Sequence, residues 1–73
     1  MLKYRLKFTS KTDPNNTGYF IRKRKVGFTA CSLKHPEMAK EFKTEADVED
    51  VMQFMQEQGE LDYYTFETET LGG

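Results

Sequence analysis

One stretch of this chain has the periodicity of a helix, and it limits the fold sharply. Val48, Val51, Met52 and Met55 fall at i, i+3, i+4 and i+7, a single apolar stripe with Phe54 on its flank. Thr44 is placed as an N-cap, with Asp47 three residues on as a capping-box partner. Glu45, Asp47, Glu49 and Asp50 crowd the first turns, where the helix dipole favours anions, and Gly59 supplies a stop. The pattern predicts a helix over 44–58. A lone amphipathic helix needs an apolar surface from elsewhere in the chain.

The rest of the chain offers strands. Leu2, Tyr4, Leu6 and Phe8 alternate with Lys3, Arg5 and Lys7, which predicts a half-buried strand over 2–9 with a cationic outer face. Ser10 to Gly18 carries the turn chemistry of Asp13-Pro14-Asn15-Asn16. From Tyr19 to Leu33 the apolar parity changes sides across Arg22-Lys23-Arg24-Lys25, so a bulge or a turn is expected there. Two strands, about 18–23 and 26–32, are the favoured reading; one long bent strand is the alternative. Lys34 to Lys43 fits a helical turn begun at Pro36 or a short edge strand through Met38, Lys40 and Phe42. A last strand over 61–69 places Tyr64 and Phe66 on one face, Tyr63 and Thr65 on the other, before a frayed end at Leu71-Gly72-Gly73. The expectation is an α+β fold in the order β-β-β-α-β: a small antiparallel sheet of three to four strands with one helix on its apolar face. Phe8, Phe28 and Phe66 are the expected contacts of the helix.

The 73 residues make one domain, 1–73, close to the lower size limit for independent folding. Six Phe and four Tyr supply the burial that a low aliphatic content does not. Cys31 stands alone, so no intramolecular disulfide staples the chain, which fits a reducing compartment. No leader-like segment opens the sequence and its longest apolar run is Tyr19 to Ile21, so a cytoplasmic protein without a membrane span is expected.

Charge is divided between the two halves. Residues 1–35 carry nine Lys or Arg and one acid, Asp13, for +8; residues 36–73 carry two Lys and eleven acids, for −9. Two candidate surfaces follow. Lys3, Arg5, Lys7, Arg22, Lys23, Arg24 and Lys25 form a basic ribbon that could track phosphates, with Tyr19 the one ring expected to be exposed beside it. Glu45, Glu49, Asp50, Glu57, Glu60, Asp62 and Glu67 form an acidic surface over the helix and the last strand, continued by Glu69. Solvation, edge protection and dipole matching at the helix start are the more frequent reasons for such charges. A homo-oligomer in which the basic half of one copy meets the acidic half of the next is a further possibility.

Catalytic chemistry has little to rest on. Cys31 and His35 are the only Cys and His, too few for a zinc site, and a Cys–His nucleophile needs a pocket and an orienting group. Cys31, Met38, Met52 and Met55 read as core filler. No glycine-rich phosphate loop is present. No catalytic residue, metal or cofactor is expected.

The segment Ala39-Lys40-Glu41-Phe42-Lys43-Thr44-Glu45-Ala46-Asp47-Val48-Glu49 resembles small accessory proteins of phages and mobile elements of Gram-positive bacteria. By size and style, that class includes anti-CRISPR inhibitors. More loosely, residues 19–57 resemble the arm-type DNA-binding domain of tyrosine integrases, in which a basic three-stranded sheet precedes such a helix and enters the major groove. Those domains are basic overall and continue into a catalytic domain; here the helix is acidic. The resemblance therefore implies a non-enzymatic, stoichiometric binder of a protein partner such as a nuclease or other nucleic-acid enzyme, acting through the acidic surface as a DNA mimic. The alternative it implies is a small DNA-binding module using the basic strands.

Overall fold

Alternation in the first segment decides which face of the sheet is apolar. The computed structural model describes residues 2–72, and in it β1 (Lys3–Ser10) is an inner strand. It lies between β2 (Thr17–Lys23) and β4 (Tyr64–Leu71), with β3 (Phe28–Cys31) beyond β2, giving the antiparallel order β3-β2-β1-β4. Tyr4, Leu6 and Phe8 of β1 share a face with Phe20 and Phe66, and Lys3, Arg5 and Lys7 point the other way. The helix α1 (Glu45–Glu57) lies on the apolar face. Its Val48, Val51 and Met55 close over Leu6, Phe20 and Phe42, and these six residues form the buried core. Phe28, Met52, Phe54 and Phe66 surround it half-buried. Thr44 caps the helix as expected, its hydroxyl accepting from the Asp47 N–H at 3.2 Å. Gly59 ends it in the left-handed region at φ 76°, donating its N–H to the Gln56 carbonyl. This is the α+β arrangement, in the order β-β-β-α-β, that the periodicities predict.

The segment 34–43, open between two readings, takes the helical turn at Pro36 and forms no edge strand. Pro36–Met38 is a 3₁₀ turn, and Phe42 then forms a bridge with Tyr4. The reason lies in β2. It pairs with β1 only from Lys7↔Tyr19 to Thr9↔Thr17, and a bulge at Ile21, between Phe20 and Arg22, turns its far end away. The gap is filled by residues 39–42. Tyr4 and Phe42 exchange N–H···O=C bonds of 2.9 and 2.8 Å, and the Lys40 N–H donates to the Phe20 carbonyl at 3.0 Å. Ala39 and Phe42 are thereby buried. Residues 32–38 link the edge strand β3 to this position, and within them Glu37 comes within electrostatic reach of Arg5 on the face opposite the helix.

Several expectations are corrected. Tyr19, expected to be exposed, is 8% exposed. Cys31 is half-buried beside Tyr19 on the outer face and takes no part in the core. Met38, read as core filler, is 57% exposed because the 3₁₀ turn lies on the surface. Leu2 continues the alternation but precedes the strand and is exposed. Phe8 is buried but takes part in an aromatic group with Phe28 and Tyr64, at centroid distances of 5.3 and 5.5 Å. The last strand starts later than expected, after a 3₁₀ turn at Glu60–Asp62, and runs through Leu71, which pairs with Lys3. Of the expected frayed end, Gly73 lies outside the described residues.

Candidate functional site

β4 runs antiparallel beside β1 in an unbroken register from Lys3↔Leu71 to Ser10↔Tyr64. Residues facing each other share a parity, so Arg5 stands opposite Glu69 and Lys7 opposite Glu67 on the outer face. Two charge blocks far apart in sequence thus lie side by side, as favourable cross-strand pairs. Arg5 also lies over the Tyr19 ring, 5.7 Å from its centroid. Burial, followed by the neighbouring Glu69 carboxylate, raises the Tyr19 phenol above its ordinary value, while Arg5 opposes the shift. Glu37, carried across this face by the 3₁₀ turn, is held below its ordinary value by its own backbone N–H, then by His35 and Arg5. Lys3 pairs with Glu41 at 3.6 Å.

The remaining cations of the ribbon disperse. The bulge at Ile21 reverses the parity of β2, so Arg22 pairs with Thr29 while Lys23 turns toward the helix, its Nζ 5.3 Å from the Phe54 centroid. Arg24 and Lys25 lie in the turn closed by Gly27, whose carbonyl accepts from the Arg24 N–H at 3.0 Å. The seven cations do not share a face.

Helical geometry divides the acidic residues just as firmly. At 100° per residue, Asp47 and Asp50 fall on one flank of α1, Glu45 and Glu49 on the other. Asp47 and Asp50 border a recess that also holds Lys23, Lys40 and Lys43, so cations accompany them. Glu45 and Glu49 border a different recess, closed by Val48, Met52 and Thr68 of β4, with no Lys or Arg in its walls. Glu57 stands at the helix end, accepting from the Gln53 side-chain amide at 3.5 Å. Glu60 borders the open end of the aromatic group near Phe28 and Tyr64, and Asp62 follows in the same 3₁₀ turn. Glu67 is on the outer face. The structure therefore brings together Glu45 and Glu49 above β4, with Glu67 and Glu69 below it; Asp50, Glu57, Glu60 and Asp62 lie apart.

The strand between those pairs of acids is a sheet edge. The Lys11 N–H bonds the Tyr63 carbonyl at 2.9 Å, which fixes the ladder phase. Odd-numbered residues of β4 bond to β1, and Tyr64, Phe66, Thr68 and Thr70 aim their N–H and C=O groups outward. Sequence reading assigned the acids without seeing this edge. Its signal was present: Tyr64, Phe66 and Thr68 alternate with Thr65, Glu67 and Glu69, with no Pro, Gly or Lys from Tyr64 to Leu71.

Among the described residues, no three His, Cys, Asp or Glu side chains converge as metal ligands, and no helix is long and apolar enough to cross a membrane. Comparison with protein-family models, curated proteins and solved structures finds no match.

Proposed function

We propose that this protein is a non-enzymatic binding module that acts by stoichiometric contact with a protein partner, through the acidic flank of α1 and the adjoining strand β4. The observation that supports the reading is electrostatic asymmetry. Arg5 and Lys7 face acids across the sheet, and Asp47 and Asp50 have lysines beside them. Glu45 and Glu49 have no Lys or Arg in their recess, so they present net negative potential to a partner. A complementary surface is cationic. Nucleic-acid enzymes carry such surfaces where they bind phosphates, and a rigid array of carboxylates can occupy them. This reading makes the protein an inhibitor of a nuclease or related host enzyme, in keeping with the phage-type and anti-CRISPR resemblance, and assigns it to the cytoplasm in which such an enzyme works. DNA binding through the basic strands is the weaker alternative, because Glu67 and Glu69 share the face of Arg5 and Lys7 and repel phosphate.

The test is capture of partners from host lysate, followed by affinity measurement with two charge-reversal variants. Glu45→Lys with Glu49→Lys is expected to abolish capture. Arg22→Glu with Arg24→Glu is expected to preserve it. The opposite pattern refutes the choice of surface.

A further inference from the structure

Given that reading of the α1–β4 surface, the sheet edge defines how a partner is held. We infer that β4 takes up an extended, basic segment of the partner as a fifth strand, with the cationic side chains of that segment beside Glu67 and Glu69 on the outer face and its apolar side chains entering the helix-side recess that Glu45 and Glu49 rim. Tyr64, Phe66, Thr68 and Thr70 offer outward N–H and C=O groups along one edge, a template for strand addition. The ladder with β1 has no register break, so the edge is regular throughout. No Pro, no bulge and no inward-pointing charge interrupts it, and the charges it carries, Glu67 and Glu69, leave it open to a cationic strand. The opposite edge, β3, is only four residues long.

Geometry then selects the occupant. An added strand lies about 4.8 Å beyond β4. Its helix-side residues enter the recess of Glu45, Val48, Glu49 and Met52. Its other residues stand next to Glu67 and Glu69, as Lys7 and Arg5 already do from the β1 side. A segment alternating cationic and apolar residues satisfies both faces, and β1 shows within this fold that such a strand pairs with β4. A second copy of the chain fits poorly. Pairing β4 antiparallel with itself about Thr68 would set Glu67 of each copy against Glu69 of the other, and like charges directly opposite are destabilising.

The probe is an acetylated eight-residue peptide of alternating Lys and Val, titrated into the ¹⁵N-labelled full chain, with a Glu/Val peptide as control. Binding of the Lys/Val peptide alone is expected, with the largest amide shifts and new exchange protection at Tyr64, Phe66, Thr68 and Thr70. Thr68→Pro removes an outward N–H while sparing the β1 ladder, so it should keep the fold and weaken binding about tenfold or more. Glu45→Lys with Glu49→Lys should weaken it by at least about tenfold as well. If that charge reversal weakens binding but Thr68→Pro and the edge amides do not respond, strand addition is overturned while the acidic surface stands. If both peptides bind alike, or the Lys/Val peptide fails to bind at millimolar concentration, the inference is overturned. Self-association that Thr68→Pro abolishes would put a second copy in the edge and overturn the choice of occupant.

Discussion

Phe42→Ala tests the feature on which the whole arrangement depends, the segment inserted between β1 and β2. Phe42 is 2% exposed, and its ring stacks on Phe20 at a centroid distance of 6.0 Å. Truncating a buried Phe to Ala costs about 3–5 kcal/mol, through lost transfer energy and the cavity left behind. A domain of this size has a total stability of about 4–11 kcal/mol, and a small chain without a disulfide belongs near the lower end. The variant should therefore be largely unfolded, or should melt at a small fraction of the parent's urea midpoint. Urea titration followed by circular dichroism measures this directly. Met38→Ala is the control: its side chain is exposed in the same segment, and its effect should stay within about 0.5 kcal/mol. The backbone gives an independent readout. The Tyr4 and Phe42 amides, bonded to each other's carbonyls, should exchange with solvent only through global unfolding. A loss of less than about 1 kcal/mol for Phe42→Ala, together with fast exchange at both amides, would refute the inserted segment as part of the core.

Further outcomes follow from other contacts. A Cβ at Gly18 would overlap the Cys31 carbonyl oxygen and come within 3.1 Å of the Phe8 ring, so Gly18→Ala should cost about 1–3 kcal/mol, read by the same urea titration. Tyr19 has a phenol raised above 10.0, first by burial and then by Glu69, so the folded state favours the neutral form. Its contribution is present below pH 10.0 and is lost as pH rises through the higher folded value; Tyr19→Phe should flatten that part of the stability–pH curve, and the ultraviolet titration of the parent less that of the variant should place the Tyr19 ionisation above 10.0. Val51→Asp places an unpaired charge in the core and should abolish the cooperative melt, since such a charge costs several kcal/mol. Duplex DNA should bind weakly and be lost at moderate salt, with a slope of about −0.9 in log K against log salt for each phosphate contact; sequence-dependent binding that survives physiological salt would favour the basic strands.

Most of the fold was legible because its signals were local. The Thr44 cap, the stripe through Val48 and Met55, the stop at Gly59 and the alternation of β1 are each set within a few residues. The parity change after Tyr19 also announced a break, although the bulge formed at Ile21, ahead of the basic run, and the turn formed within it. What was not legible depended on contacts between distant segments. Tyr19 looks exposed in its own strand and is buried among Arg5, Cys31 and Glu69, which come from three other strands. Met38 looks like core filler until the 3₁₀ turn lifts it off the sheet. Phe42 could be placed on a strand or a turn, and only the divergence of β2 from β1 explains why it became both partner and core.

The charge pattern shows the same limit, and here the limit bears on function. Reading the chain as a basic half and an acidic half suggests two opposed surfaces. Antiparallel pairing of the first strand with the last sets Arg5 against Glu69 and Lys7 against Glu67. The same pattern that segregates charge along the sequence therefore mixes it across the sheet. Helical periodicity then sorts the remaining acids, sending Asp47 and Asp50 to the lysine-lined flank and Glu45 and Glu49 to the other. The surface that stays negative is narrower than the sequence suggests, but it lies along the long free edge of the sheet. Glutamates on both faces of that edge oppose pairing between identical copies and favour a cationic strand. Protection against self-association and selection of a foreign partner would thus come from the same side chains, so removing the charge from Glu67 and Glu69 should relax both.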